Sequence, residues 1–241
     1  MQRKGKMMER QMESKFLEET MTVKWYVPEM FSPLKSYQLC IMQDGEDYFR
    51  IGKIATWSDQ LHEEGDIEDT VFVGIHYKDK FDRLDKYHPD GAKLEAYMNF
   101  LVKEVVPLLD EEISTFQIGG SRTLMGDSMA GTFALMTALR YPNTFGKVIM
   151  QSPFVNKTVM DAVANSKNLD QLSIYHTVGN KETEVQTTRD GVLDFITPNR
   201  ELQELLASKG TSYEYVEFDG NHTWKYWQQD IKQALKTMFG Y

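Results

Sequence analysis

Apolar and polar positions change period repeatedly along the chain, and the changes mark out alternating strands and helices. Residues 21–27 (MTVKWYV) alternate every second position and are stopped by Pro28, which reads as a half-buried strand. Residues 36–43 and 70–77 are more continuously apolar, as expected of strands buried on both faces. Between 93 and 109, Leu94, Tyr97, Met98, Leu101, Val105 and Leu108 recur at helical spacing, with Pro107 near the end. Further strands are expected at 122–125, 147–150, 172–178 and 212–218. Helices are expected at 132–140, 155–164 and 198–209, and after His222. Pro198 in a first helical turn and Gly210 just past a helix end support the boundaries of 198–209. Strand and helix in alternation predict an α/β class: a mostly parallel central sheet with helices on both faces. No internal repeat or low-complexity linker divides the chain. One domain is expected over residues 21–241, preceded by a charged N-terminal segment at 1–20.

The junction between the strand at 122–125 and the helix at 132–140 reads Gly126-Asp-Ser-Met-Ala-Gly131. A serine held at a strand-to-helix turn between small residues is a nucleophile elbow, which pushes the hydroxyl out above the sheet. The usual spacing is G-x-S-x-G. Here Ala130 holds the fifth position and the glycine comes one residue later. Ser128 is the candidate nucleophile, and the bland alternative is a turn in which Asp127 or Ser128 merely caps the helix.

Serine needs a base, usually a histidine oriented by a carboxylate. In the strand order expected here the partners follow as acid and then histidine. Of five histidines, only His176 and His222 come later. His176 lies inside an apolar run and reads as structural, whereas His222 follows the last strand and is the candidate base. The loop after the strand at 172–178 offers Glu182 as the first choice of acid and Glu184 as its competitor. The backbone N–H of Met129 and that of Glu46, beyond the Asp44-Gly45 turn, are the candidate oxyanion donors. An ordinary β-turn at Asp-Gly is the competing reading of the latter. Arg83, Trp57, Tyr48 and Trp224 are candidate substrate-binding side chains, with Phe49, Phe154 and Trp227 as further aromatics of the cleft.

Composition narrows this picture further. The chain has 241 residues, 27 Lys+Arg against 36 Asp+Glu, and a net charge of −9 with no basic stripe, so a nucleic-acid partner is not expected. The lone cysteine, Cys40, excludes an internal disulfide and favours a reducing, cytoplasmic setting. The N-terminus shows no apolar leader, and no run approaches the ~18 apolar residues of a membrane span, so no membrane partner is expected.

Taken in order, five features resemble the putative esterase family of α/β-hydrolases, whose members include enterochelin esterases and esterase D-like enzymes. They are the Asp44-Gly45 turn, Val73-Gly74-Ile75 with Arg83 downstream, the Ser128 elbow, Val178-Gly-Asn-Lys-Glu182 with Pro198–Leu202, and the His222 loop with Trp224 and Trp227. The resemblance runs from about residue 21 to the C-terminus. It implies the α/β-hydrolase fold and serine esterase chemistry on a small-molecule ester, with Ser128, His222 and Glu182 as triad and Glu46 as an oxyanion donor. No metal or organic cofactor is expected. An acyltransferase of the same fold, or a non-catalytic binding protein that kept it, are the alternatives. Gly126-Asp-Ser128 with Asp219-x-x-His222 also mimics the flavodoxin-like GDS lipases, in which Asp219 would be the acid. Those enzymes, however, carry Gly-Asp-Ser on their first strand.

Overall fold

The computed structural model describes residues 3–241; Met1 and Gln2, at the head of the charged N-terminal segment, lie outside it. Eight strands form one sheet: β1 (Lys6–Ser14), β2 (Glu19–Val27), β3 (Gln38–Met42), β4 (Thr70–Ile75), β5 (Arg122–Asp127), β6 (Lys147–Gln151), β7 (Ser173–Gly179) and a last strand, β10 (Ser212–Phe218). The order across the sheet is β1-β2-β4-β3-β5-β6-β7-β10. The β1–β2 and β2–β4 pairs are antiparallel, and from β4 to β10 every pair is parallel. A two-stranded hairpin, β8 (Val185–Gln186) with β9 (Val192–Leu193), stands apart from the sheet.

The helices are α1 (Gly45–Arg50), α2 (Ile54–Glu64), α3 (Lys80–Tyr87), α4 (Leu94–Phe100), α5 (Val106–Glu112), α6 (Met129–Arg140), α7 (Lys157–Asn165), α8 (Ile196–Ala207) and α9 (Trp224–Phe239). They cover both faces, and the strands divide their side chains between them with period two. Leu39 and Ile41 join the core beneath α4 to α8, while Cys40 and Met42 join the core beneath α1, α2 and α9. Between α4 and α5 the chain widens into a π-helical turn, Leu101–Val105. Pro107 follows it, with no N–H to donate and a ring that crowds the turn before it, and the wider turn accommodates both.

The charged N-terminal segment is not separate from the domain. Residues 6–14 are the edge strand β1, fully paired with β2, and Met8 and Met12 pack on the core between exposed Glu and Arg positions. Its high charge hid the strand pattern, and that charge is what an unpartnered edge requires.

Candidate active site

β5 and α6 are joined at Ser128, whose backbone sits at φ 52, ψ −127, a conformation rare for any residue but glycine. The turn is compact enough that a Cβ at Gly126 would lie 2.4 Å from the carbonyl carbon of Ala130. Ala130 itself is fully buried and tolerated, so the elbow closes with glycine at 131 instead of 130. The Ser128 N–H is held by the Gln151 carbonyl of β6 at 2.8 Å. Met129 and Ala130 begin α6, so their N–H groups have no acceptor within the helix.

His222 and Glu182 meet because β7 and β10 are adjacent and parallel. The register pairs Phe218 with Gly179, which places the two following loops side by side. Asn180 and Lys181 then donate their N–H groups to the carbonyls of Phe218 and Gly220. His222 Nε2 lies 2.9 Å from Ser128 Oγ, and its Nδ1 lies 2.7 Å from Glu182 Oε2. A carboxylate can only accept, so Nδ1 carries the proton and Nε2 is free to accept the serine proton. Glu182 is 1% exposed, and its second oxygen accepts from Ser152 Oγ (2.6 Å) and from the Gly179 N–H (2.8 Å). A Cβ at Gly179 would sit 2.7 Å from that oxygen, so only glycine leaves the carboxylate room. Ser152 in turn accepts from Trp227 Nε1 at 2.9 Å. Sequence reasoning gave no role to Ser152. Its only signal is its position just after β6, one strand along from the elbow, in a left-handed backbone conformation (φ 48) that no spacing reveals.

The competing acids lie elsewhere. Glu184 is exposed, and Asp219 is exposed and paired with Lys181 at 2.8 Å. His176, expected to be structural, is fully buried between Tyr213 Oη (2.8 Å) and Asn199 Oδ1 (2.7 Å), and burial lowers its pKa to about 4.

A cleft of about 330 Å³ opens onto Ser128 and His222. One wall is apolar, built from Phe154, Val185, Phe195, Trp224 and Trp227; the other is polar, with Asp44, Asp47, Lys80 and Arg83. The β8–β9 hairpin roofs it, and its tip reaches α3, where Arg189 Nη1 lies 3.2 Å from His88 Nδ1.

The candidate substrate-binding residues divide. Trp224 lines the cleft, but Tyr48 and Trp57 do not. Tyr48 is fully buried behind it, edge-on to Trp224 and bonded to Gln151 Oε1 at 3.1 Å. Trp57, on α2, is half-buried against the core beneath α1, α2 and α9, with the ammonium of Lys232 over its ring. Both expectations came from aromatics near loops in the sequence, and helices α1 and α2, unread there, turn these two away. Phe49, likewise, is buried against Gly74.

Arg83 does line the cleft, but its guanidinium is already occupied. Nε and Nη2 grip the Asp44 carboxylate at 2.9 and 2.6 Å, and Nη2 also lies 3.3 Å from the backbone carbonyl of Asp127. Asp44 adopts a left-handed conformation (φ 58) at the N-cap position of α1, with no capping bond from its side chain, so the Asp-Gly step starts a helix and is not an isolated β-turn. The side chain of Glu46 turns away to pair with Lys24, while its N–H lies in the first turn of α1.

Residues 14–238 match the family model described as "Putative esterase". The chain belongs to this family. It is 48% identical over 234 residues to the uncharacterized protein YjcH of Bacillus subtilis, covering 97% of this chain and 98% of that one. Among solved structures, a ferulic acid esterase superposes with a TM-score of 0.81 at 16% identity, covering 99% of both chains. The enterobactin esterase FES of Shigella flexneri gives 0.82 at 18% identity, over 97% of this chain and 58% of that one. The BES protein of Bacillus cereus gives 0.78 at 18% identity, over 98% and 95%. At these identities the structural likeness establishes the fold, the α/β-hydrolase fold, while family membership supports ester hydrolase activity. Among the described residues no helix is long and apolar enough to cross a membrane.

Proposed function

We propose that the protein is a serine esterase that works through an acyl-enzyme. The observation that carries this reading is the chain of contacts Ser128 Oγ–His222 Nε2 (2.9 Å) and His222 Nδ1–Glu182 (2.7 Å), set on a strained turn. His222 takes the Ser128 proton as Oγ attacks the ester carbonyl, and Glu182 orients the ring and balances the imidazolium that forms. The N–H groups of Met129 and Glu46 hold the tetrahedral oxyanion, each drawn from the first turn of a helix where no backbone acceptor competes. His222 then protonates the leaving alcohol, and a water activated by the same ring releases the acid.

Arg83 serves this site as a clamp. It binds Asp44, at the head of one donor segment, and the carbonyl of Asp127, at the head of the other, and so fixes their separation. The apolar wall of Phe154, Val185 and Phe195 suits an ester with an apolar or aromatic group on one side of the scissile bond.

Hydrolysis of p-nitrophenyl acetate and butyrate by wild type and Ser128→Ala tests the reading, with a fluorophosphonate as an active-site label. Turnover and labelling that both vanish in Ser128→Ala support it. A folded wild type that neither turns over nor takes the label sinks it, in favour of a non-catalytic binding role.

A further inference from the structure

Two acids flank the Arg83 clamp, and one arginine cannot neutralise both. Asp44, 2% exposed, takes the guanidinium through Nε and Nη2. Asp127, the last residue of β5 and the neighbour of Ser128, is 4% exposed, and Arg83 reaches only its backbone carbonyl. Its Oδ1 is buried without a hydrogen-bond partner. The groups facing it are Asp44, Asp47 and Tyr48 from the β3–α1 side, Tyr77 beyond β4, Arg83 on α3, and the Ser128–His222 pair across the cleft. Lys80 also lines this cleft, but Arg83 is the basic side chain bonded here, and its bonds go to the Asp44 carboxylate and the Asp127 carbonyl. With Asp44 and Asp127 both ionised, this buried cluster would carry a net negative charge where the oxyanion must form.

We propose that Asp127 is a neutral acid in the working enzyme, a positioning residue whose ionisation would place a second negative charge beside the oxyanion donors and slow turnover. Its effect on turnover rests on the serine esterase reading above; its protonation does not. Three features support this. A buried ionised carboxylate is expensive unless several donors meet it, and Oδ1 meets none. Burial, and then the Asp44 charge, hold the Asp127 carboxyl well above the usual carboxylate range, against the opposing pull of Arg83. Asp127 also directly precedes Ser128 and Met129, so its side chain branches from the turn that supplies one oxyanion donor. On ionisation the proton leaves to solvent through the cleft, and the reaction loses transition-state stabilisation with no change in any bond it makes.

The test joins infrared spectroscopy to a pH profile. At neutral pH, the wild-type spectrum minus that of Asp127→Asn should contain the carbonyl stretch of an un-ionised carboxylic acid. The wild-type kcat/KM should fall on the alkaline side, and Asp127→Asn, fixed in the neutral form, should not follow it. At neutral pH the same variant should lose less than about tenfold, under 1.4 kcal/mol of barrier. Asp44→Asn frees Arg83 to pair with Asp127, so the un-ionised carboxyl band at neutral pH should weaken in that variant. No un-ionised carboxyl band at neutral pH, or an identical alkaline fall in wild type and Asp127→Asn, overturns the proposal. If wild type takes no fluorophosphonate label and hydrolyses nothing, the esterase reading fails, and the infrared band still decides the state of Asp127.

Discussion

Glu182 and Asp127 are two buried acids on either side of Ser128, one reached through His222 and the other adjacent in the chain, and their surroundings are opposite. Glu182 receives the Ser152 hydroxyl, the Gly179 N–H and the His222 ring. Asp127 has an oxygen without a partner, a neighbouring carboxylate, and an arginine already committed to that neighbour. Burial is common to both, so burial alone does not set how an acid serves a site. Donors arranged around a carboxyl hold an anion, and their absence holds a proton.

The largest test of the comparison is to replace each carboxyl by its amide in turn. Glu182→Gln should cost on the order of 10⁴-fold in kcat, because an amide opposite Nδ1 can donate and so favours the wrong histidine tautomer. Asp127→Asn should cost far less, and equal losses in steady-state kinetics would erase the distinction. A buried base extends the comparison. His176 has a folded pKa of about 4 against 6.5 unfolded, so its neutral form is the one the fold prefers. That stability is present above pH 6.5 and is lost as pH falls toward 4, on the order of 3 kcal/mol over the window. Urea unfolding of wild type and His176→Gln across that range should show the slope in the first and not in the second.

A smaller effect is expected from the support of Glu182. Ser152→Ala removes one donor and leaves the Trp227 indole N–H unpaired, so kcat should fall about tenfold with the Ser128 label retained. If Glu182 is held by the backbone alone, this variant will match wild type. The smallest effect belongs to the exposed acids. Glu184→Gln and Asp219→Asn should change kcat by less than about twofold, since exposed charges couple weakly. A collapse with Asp219→Asn would move the acid to the histidine's own loop.

The order of strands and helices was readable because buried strands and amphipathic helices impose periods of 2 and 3.6 on the residues themselves. Ser128, Glu182 and His222 were readable for a related reason: each sits at the C-terminal end of a parallel strand, where a turn interrupts the pattern. β1 was missed because four of its nine residues are charged and break the alternation of apolar positions. The helices α1 and α2 were missed because each begins at a left-handed residue with no side-chain cap, and α3 because five of its eight residues are charged and read as a loop. That omission sent Tyr48 and Trp57 to the wrong side of the wall, since the direction of an aromatic depends on the helix that carries it.

By itself, the sequence determined the α/β alternation, the elbow at Ser128 and the chain order of its partners, all of which are local properties of spacing and turn chemistry. Only the tertiary structure decided that Glu182 and not Asp219 faces His222, that Ser152 and Trp227 stand behind Glu182, and that Arg83 belongs to Asp44. Those choices depend on strand register and on which donors reach a buried carboxyl across tens of residues of chain. Such distances in space leave no period in the sequence to read.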